Sequence, residues 1–172
     1  ADEVADILKY NFSNYEESWR GRLEAEEGYL FPDTYYFAKD SDIDMIISKM
    51  KENFDKKFAA VPDGKKDALS TREIVIIASL VEREAGFDED RPLVASVILN
   101  RYRIGMKLDL DSTIQYALGY QRTENSWWKK NLTYDDLEID SSYNTYRNAG
   151  LPPGPIANPG LRSIEAVVDA PS

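Results

Sequence analysis

The stretch IVIIASLVEREAGF (74–87) decides how this chain is read. From Ile74 to Val81 it is almost wholly apolar, then it runs directly into Glu82, Arg83 and Glu84. Ser70-Thr71-Arg72-Glu73 ahead of it fits a capping box, and Gly86 closes it, so the spacing predicts a helix between them. A helix this apolar belongs in the interior, where a carboxylate needs a partner or a task. Successive helix residues turn by about 100°, so Glu82 and Glu84 lie about 200° apart and cannot share a face. Glu84 continues the stripe of Ile77, Leu80 and Val81; Glu82 lies over Val75, Ala78 and Ser79.

Other helical patterns surround this one. Residues 2–12 form a first short helix, extending through Tyr15 to Leu23. Ile43, Ile46, Ile47, Met50, Phe54 and Phe58 make one stripe on a helix over 42–58, with Ser41 and Asp44 as its capping pair. A helix from Arg91 to Tyr102 carries Pro92 in its first turn and stops at Gly105. Ser112 to Leu118 is a short helix ended by Gly119, Asp135–Glu138 a helical turn, and a last helix starts near Pro159. Met106–Leu110 alternates as a short strand would, and 23–37 contains a short extended piece. Residues 120–133, with Trp127-Trp128, read as surface loop, and 141–160 is too rich in Pro, Gly and Asn for regular structure. The expected fold is α+β but predominantly helical: one compact domain over 1–172, a central buried helix, a few short strands and long Pro/Gly-rich loops.

Composition removes several function classes. The 172 residues hold 21 Lys+Arg against 31 Asp+Glu, a net charge of −10 that repels phosphate backbones, so nucleic acid is not an expected partner. Cysteine and histidine are both absent, which removes thiol nucleophiles, histidine-based triads and most zinc chemistry; no metal and no cofactor is expected. No apolar run approaches the roughly 20 residues needed to span a bilayer.

What remains is carboxylate chemistry. If the Ile77 face meets a cleft, Glu84 is a partly desolvated carboxyl, the kind that serves as a general acid. A glutamate in a last helical turn is also commonly solvated or paired with an arginine such as Arg83, Arg91 or Arg101; periodicity leaves both readings open. Tyr29, Phe31, Tyr35, Tyr36, Tyr143 and Tyr146 lie among Glu27, Asp33, Asn144 and Arg147. Aromatic platforms beside polar edges suit sugar rings, although core anchoring explains the same residues.

Four segments together resemble the endolytic murein transglycosylase family, also called YceG-like or MltG: EGYLFPDTY (27–35), ASLVEREA (78–85), VASVILNRYRIGMKLDLDST (94–113) and YNTYRNAGLPPGPIANPG (143–160). They follow the family's order and approximate spacing over residues 24–170. The resemblance implies a lyase that cuts peptidoglycan glycan strands between MurNAc and GlcNAc and leaves 1,6-anhydro-MurNAc ends. The family's catalytic acid is the second of its E-x-E, which falls on Glu84. Glu27 and Asp111 are implied cleft acids, the latter also able to cap the helix at 112. Asn100, Arg101, Gln115, Tyr143, Asn144 and Tyr146 are implied substrate contacts, and Glu82 a supporting ion-pairing residue. Because pairing with Arg101 would hold Glu84 as an anion, Arg101 is expected to avoid it.

Family members carry an N-terminal membrane anchor and a LysM-like module before this region, and a strand-forming segment after it. Both ends of the sequence read as internal to such a longer chain. The resemblance places the parent protein at the extracytoplasmic face of the bacterial membrane, held only by that anchor, with cell-wall synthesis machinery as a family-level partner. The competing reading is a non-catalytic peptidoglycan-binding or scaffolding module. The aminodeoxychorismate lyase label sometimes given to the family is rejected, because no lysine in an apolar setting and no glycine-rich phosphate cradle is present for pyridoxal phosphate.

Overall fold

A computed structural model describes residues 2–64 and 68–170. The helices are α1 (Asp2–Asn11), α2 (Ser18–Glu24), α3 (Ile43–Ala60), α4 (Thr71–Glu84), α5 (Arg91–Arg103, entered through a 3-10 turn at Asp88–Asp90), α6 (Asp111–Leu118), α7 (Tyr134–Leu137) and α8 (Leu161–Val168). The capping box of α4 forms as the sequence predicts: Ser70 accepts from the Glu73 N–H, and Glu73 reaches back to the Ser70 N–H at 2.8 Å. At α3 the cap is different. Asp42, not the Ser41/Asp44 pair, accepts the Met45 N–H at 2.8 Å, and Ser41 is buried instead.

α4 is the hub. It packs against α8, α5 and α6, and every residue from Ile74 to Val81 is buried. The stripe expected from periodicity is therefore a full cylinder: Val75, Ala78 and Ser79 are as inaccessible as Ile77 and Leu80. The surrounding core takes in Phe54, Ala95, Ile98, Leu99, Leu108, Ile156 and Ile164. A second core joins α1 and α2 to the first half of α3, through Leu8, Trp19, Leu23, Ile43 and Ile46. Residues 12–17 separate α1 from α2, so the single helix through Leu23 does not form.

The expected strands are absent among the described residues, where Gln121 and Ser126 make only an isolated bridge. Leu108 is buried and Leu110 half-buried, so the alternation at 106–110 is real. Its backbone groups bond elsewhere, however. The Leu108 carbonyl accepts from Arg101, the Leu110 N–H donates to Thr145 Oγ1 at 3.1 Å, and Asp109 takes φ +50. An extended segment with no partner strand is not a sheet.

The Pro/Gly-rich segment is bolted to α4 rather than loosely draped. Ser79 Oγ accepts the Ile156 N–H at 3.0 Å, and Asn158 Oδ1 accepts the N–H groups of Gly28 (2.7 Å) and Leu30 (3.1 Å). Gly28 has φ +91, and a Cβ there would lie 2.4 Å from Pro155 and 2.8 Å from Val75. Gly28→Ala combines a left-handed backbone with a clash against a fixed proline. It should lower unfolding free energy by about 2–4 kcal/mol in denaturant titration, while Gly21→Ala, with open space around it, should not.

Candidate active site

Glu82 and Glu84 end α4 in different company. Glu82 Oε2 accepts from Ser163 Oγ (2.6 Å), the Gly160 N–H (3.1 Å) and Arg91 (3.3 Å). Arg91 also donates to Ser163 Oγ at 2.6 Å and to Asp88 at 2.9 Å. Glu82 is thus a neutralised tie between α4, α5 and the start of α8. Glu84 Oε1 accepts only the Ser112 N–H, at 3.2 Å, and Oε2 makes no hydrogen bond to another described residue. The two carboxylates lie on different faces, as helical geometry requires. Since both faces are buried, it is their partners that distinguish them.

Ser112 stands at the N-terminus of α6, whose flanking residue Leu110 has no side chain to cap it. Neither Asp111 nor Ser112 fills that role, contrary to the capping alternative for Asp111; Glu84 supplies the acceptor from across the fold. Asp111 instead accepts from the Tyr146 hydroxyl at 2.7 Å. Burial, then that hydrogen bond, then the charges of Asp111, Asp109 and Glu84 push the Tyr146 phenol up to about 12. Tyr146, Asp111, Ser112 and Glu84 therefore form one cluster. The Ser112 hydroxyl within it is buried without a hydrogen-bond partner among the described residues, and no local pattern marks it in the sequence.

The loop carrying Tyr146 is clipped to α6 by Thr113 and Thr145, whose hydroxyls meet at 2.9 Å. Asn144, expected at the substrate, is instead fully buried. Its amide donates to the Leu137 and Ile139 carbonyls and its oxygen accepts the Tyr146 and Arg147 N–H groups, so it shapes the loop from inside. Arg101 does avoid Glu84: it donates to the Leu108 carbonyl and holds the approach to α6. Gln115 bonds the Lys129 carbonyl at 2.7 Å, and Asn100 lies exposed on α5. Glu27 accepts from Tyr116 at 3.0 Å, and the Tyr116 ring packs on Tyr143 at 4.8 Å between centroids. These last three make a second cluster on the other half of α6.

That second cluster opens into a cleft of about 780 Å³ lined by Glu27, Pro32, Arg83, Tyr116, Trp127 and Asn158 among others. Glu84 is not among its lining residues; Glu82 and Arg83 are. Trp127 and Trp128 are half-buried there rather than free in a surface loop. Among the described residues, no three His, Cys, Asp or Glu side chains gather to hold a metal ion, and no helix is long and apolar enough to cross a membrane.

The central buried helix thus ends in one ion-paired carboxylate, Glu82, which lines the aromatic cleft, and one carboxylate with a single hydrogen bond, Glu84, which does not. The chain belongs to the YceG-like family, whose model matches residues 1–172. It is 43% identical over 144 residues to the endolytic murein transglycosylase of Bacillus subtilis (strain 168), covering 83% of this chain and 38% of that protein. The endolytic murein transglycosylase of Streptococcus pneumoniae (serotype 2, strain D39) is 38% identical over 83% of this chain and 26% of its own length. The chain thus spans well under half of these relatives. A YceG-like protein of Listeria monocytogenes, known from a 2.6 Å crystal structure, shares the fold with a TM-score of 0.76 at 35% identity, over 98% of this chain and 59% of that one.

The Tyr146 phenol offers a direct check on the cluster. An unfolded tyrosine titrates near 10, so the folded value of about 12 means that its stabilising contribution is complete below pH 10 and lost as pH rises toward 12. Tyr35, Tyr102 and Tyr116 are raised as well, so ultraviolet titration should show several late-ionising tyrosines, and the component near pH 12 should be lost in Tyr146→Phe. Asp111→Asn, which removes the adjacent negative charge, should bring it down.

Proposed function

We propose that this chain is the catalytic domain of an endolytic lytic transglycosylase acting on peptidoglycan glycan strands, with Glu84 as the acid and then the base. Protonated Glu84 donates to the glycosidic oxygen between MurNAc and GlcNAc, and the C1–O bond breaks as the GlcNAc hydroxyl leaves. The carboxylate so formed takes the proton of the same MurNAc's 6-hydroxyl, whose oxygen closes on C1. The product end is 1,6-anhydro-MurNAc, Glu84 is again protonated, and no water is consumed. A tethered hydroxyl brings a large effective concentration, so the second, water-activating carboxylate of ordinary glycosidases is not needed.

The observation that carries this reading is the contrast with Glu82: among the described residues Glu84 makes no ion pair and accepts a single hydrogen bond. Oε1 accepts the Ser112 N–H, while Oε2 makes no hydrogen bond to another described residue and is open to a ligand. An N–H donor is satisfied by either form of the carboxyl, because the protonated acid keeps one acceptor oxygen. Arg101 is engaged at Leu108, and among the described residues no arginine forms an ion pair with Glu84. Asp111 and Tyr146 add a polar edge within the same cluster. The relatives' names support the substrate class. The expected site is the extracytoplasmic face of the membrane, where that substrate lies, with the anchor and any synthesis partners belonging to the parent protein.

Glu84→Gln keeps an acceptor for the Ser112 N–H, so the variant should fold with an unchanged melting temperature. It should lose at least 10²–10⁴-fold in strand cleavage, the scale of one general acid–base group. The readout is mass analysis of glycan fragments for anhydro ends, best made with a full-length version. A scaffolding module would show no such loss, and hydrated reducing ends would make the protein a hydrolase.

A further inference from the structure

Arg83 sits between the two glutamates in sequence and on neither of their faces. Its guanidinium lies 3.5 Å from the centre of the Trp128 ring, and its Nε is buried without a hydrogen-bond partner. No carboxylate stands within ion-pairing distance of it among the described residues, although it lines the 780 Å³ cleft. Burial pushes the guanidinium below its usual value, while Glu3, Glu82 and Glu84 act on it only through space. The other charged side chains of the cleft lining among the described residues, Asp2, Glu3, Glu24, Glu27, Asp33 and Glu82, are all acidic, so a partly buried cation stacked on an indole with an unused donor is the one point of that lining able to receive an anion.

The chain brings its own carboxylates to the two indoles at the edge of this corner. Glu3 of α1 places its carboxylate against the cleft and accepts from Trp128 Nε1 at 2.9 Å, and Asp6 accepts from Trp127 Nε1 at 3.1 Å. Both indole N–H groups thus already hold carboxylates, one of them beside Arg83. The cleft also lies close to the proposed reaction centre along one element. Tyr116 lines it, and Ser112, which holds Glu84, is four residues earlier on α6, about 6 Å by helical rise and on the scale of one sugar ring.

We infer that the Arg83–Trp128 corner is the subsite for a carboxylate-bearing substituent on the glycan, with the Glu3 carboxylate, held on Trp128 Nε1 at the edge of that corner, as its competitor. The inference rests on the glycan-cleaving reading above. It gives the site a means of telling the two alternating sugars apart, since only the muramyl residue carries a lactyl group, ending in a carboxylate or extended by a peptide that supplies one. It also moves the anion-recognising role from Arg101, whose guanidinium is engaged at the Leu108 carbonyl, to Arg83.

The test uses tryptophan fluorescence, because Trp127 and Trp128 line the cleft while Trp19 is buried in the α1–α3 core. Three probes are titrated into the chain: the disaccharide GlcNAc–MurNAc, its dipeptide derivative, and neutral di-N-acetylchitobiose. At least one anionic probe should bind roughly tenfold more tightly than chitobiose, the value of one charge-assisted hydrogen bond. Preference for the plain disaccharide assigns the lactyl carboxylate, and preference for the derivative assigns the peptide. Arg83→Met should erase the preference, Arg83→Lys should keep part of it, and Glu3→Ala should tighten anionic binding by removing the competitor. Equal binding of all three probes, no saturable response, or a preference indifferent to Arg83→Met overturns the inference. If Arg83→Met does not fold, unchanged affinity in Glu3→Ala overturns it alone. Glycan digestion separates the two levels. Anhydro ends with no Arg83-dependent preference remove the subsite and leave the reaction; an Arg83-dependent preference with no anhydro ends removes the reaction and leaves a binding site.

Discussion

The C-terminal turn of α4 carries two glutamates at the negative end of a helix dipole, inside the protein, and the rest of the site follows from how that conflict is resolved. Negative charge at a helix C-terminus is unfavourable by a few tenths to about 1 kcal/mol even at a surface. Here each carboxylate is turned toward the positive end of another helix. Glu82 meets the start of α8 through the Gly160 N–H and Ser163 Oγ, and Glu84 meets the start of α6 through the Ser112 N–H. Neither α8 nor α6 has a side-chain cap of its own, their flanking residues being Gly160 and Leu110. Three helix ends therefore satisfy one another. The fold places α6 and α8 where they are because α4 ends in acids, and the acids are tolerated because those N-termini are there.

The two solutions differ in completeness, and function is argued from that difference. Glu82 gains Arg91, itself held by Asp88 and Ser163, so its charge is matched and its oxygen saturated. Such a group is structural: removing it would strip the Gly160 N–H and the Ser163 hydroxyl of their acceptor and leave Arg91 paired with the exposed Asp88 alone. Glu84 has one donor and one uncommitted oxygen. Position on the helix does not separate these cases, since both glutamates descend from fully buried faces; the count and kind of partners does.

Much of this was legible in the sequence for a physical reason. Capping boxes, helix stops and the buried run at 74–81 are local patterns, and α4, α5, α6 and α8 stand within a few residues of where those patterns put them. The placement of Glu84 against α6 was half legible: its face could be computed, its partner could not, because Ser112 is 28 residues away and contributes only a backbone N–H. Backbone donors carry no residue signature. The same limit explains Asn144, whose side chain looks like a ligand contact in sequence but serves carbonyls at Leu137 and Ile139. It explains the missing strand too, since alternation at 106–110 reports burial of Leu108 but not whether a second strand lies alongside. Arg83, Trp127 and Trp128 were overlooked as a unit because their meeting depends on how residues 120–133 fold back over α4.

One tension in the proposed chemistry resolves in the geometry. A residue that both caps a helix and transfers a proton would be a compromise if the cap required the anion. It does not, because the Ser112 N–H needs only one lone pair. The acid form can present its carbonyl oxygen to α6 and its hydroxyl to the glycosidic oxygen; the anion can keep the first contact and use the second oxygen as base. The side chain need not move between the two half-reactions, so the reorganisation that separates an acid step from a base step is small. A hydrolytic mechanism would lack this economy. It would need a second carboxylate to activate water, whereas the proposed reaction uses Glu84 for both proton transfers. In the proposed reaction the nucleophile arrives with the substrate, so a single carboxyl can serve both steps.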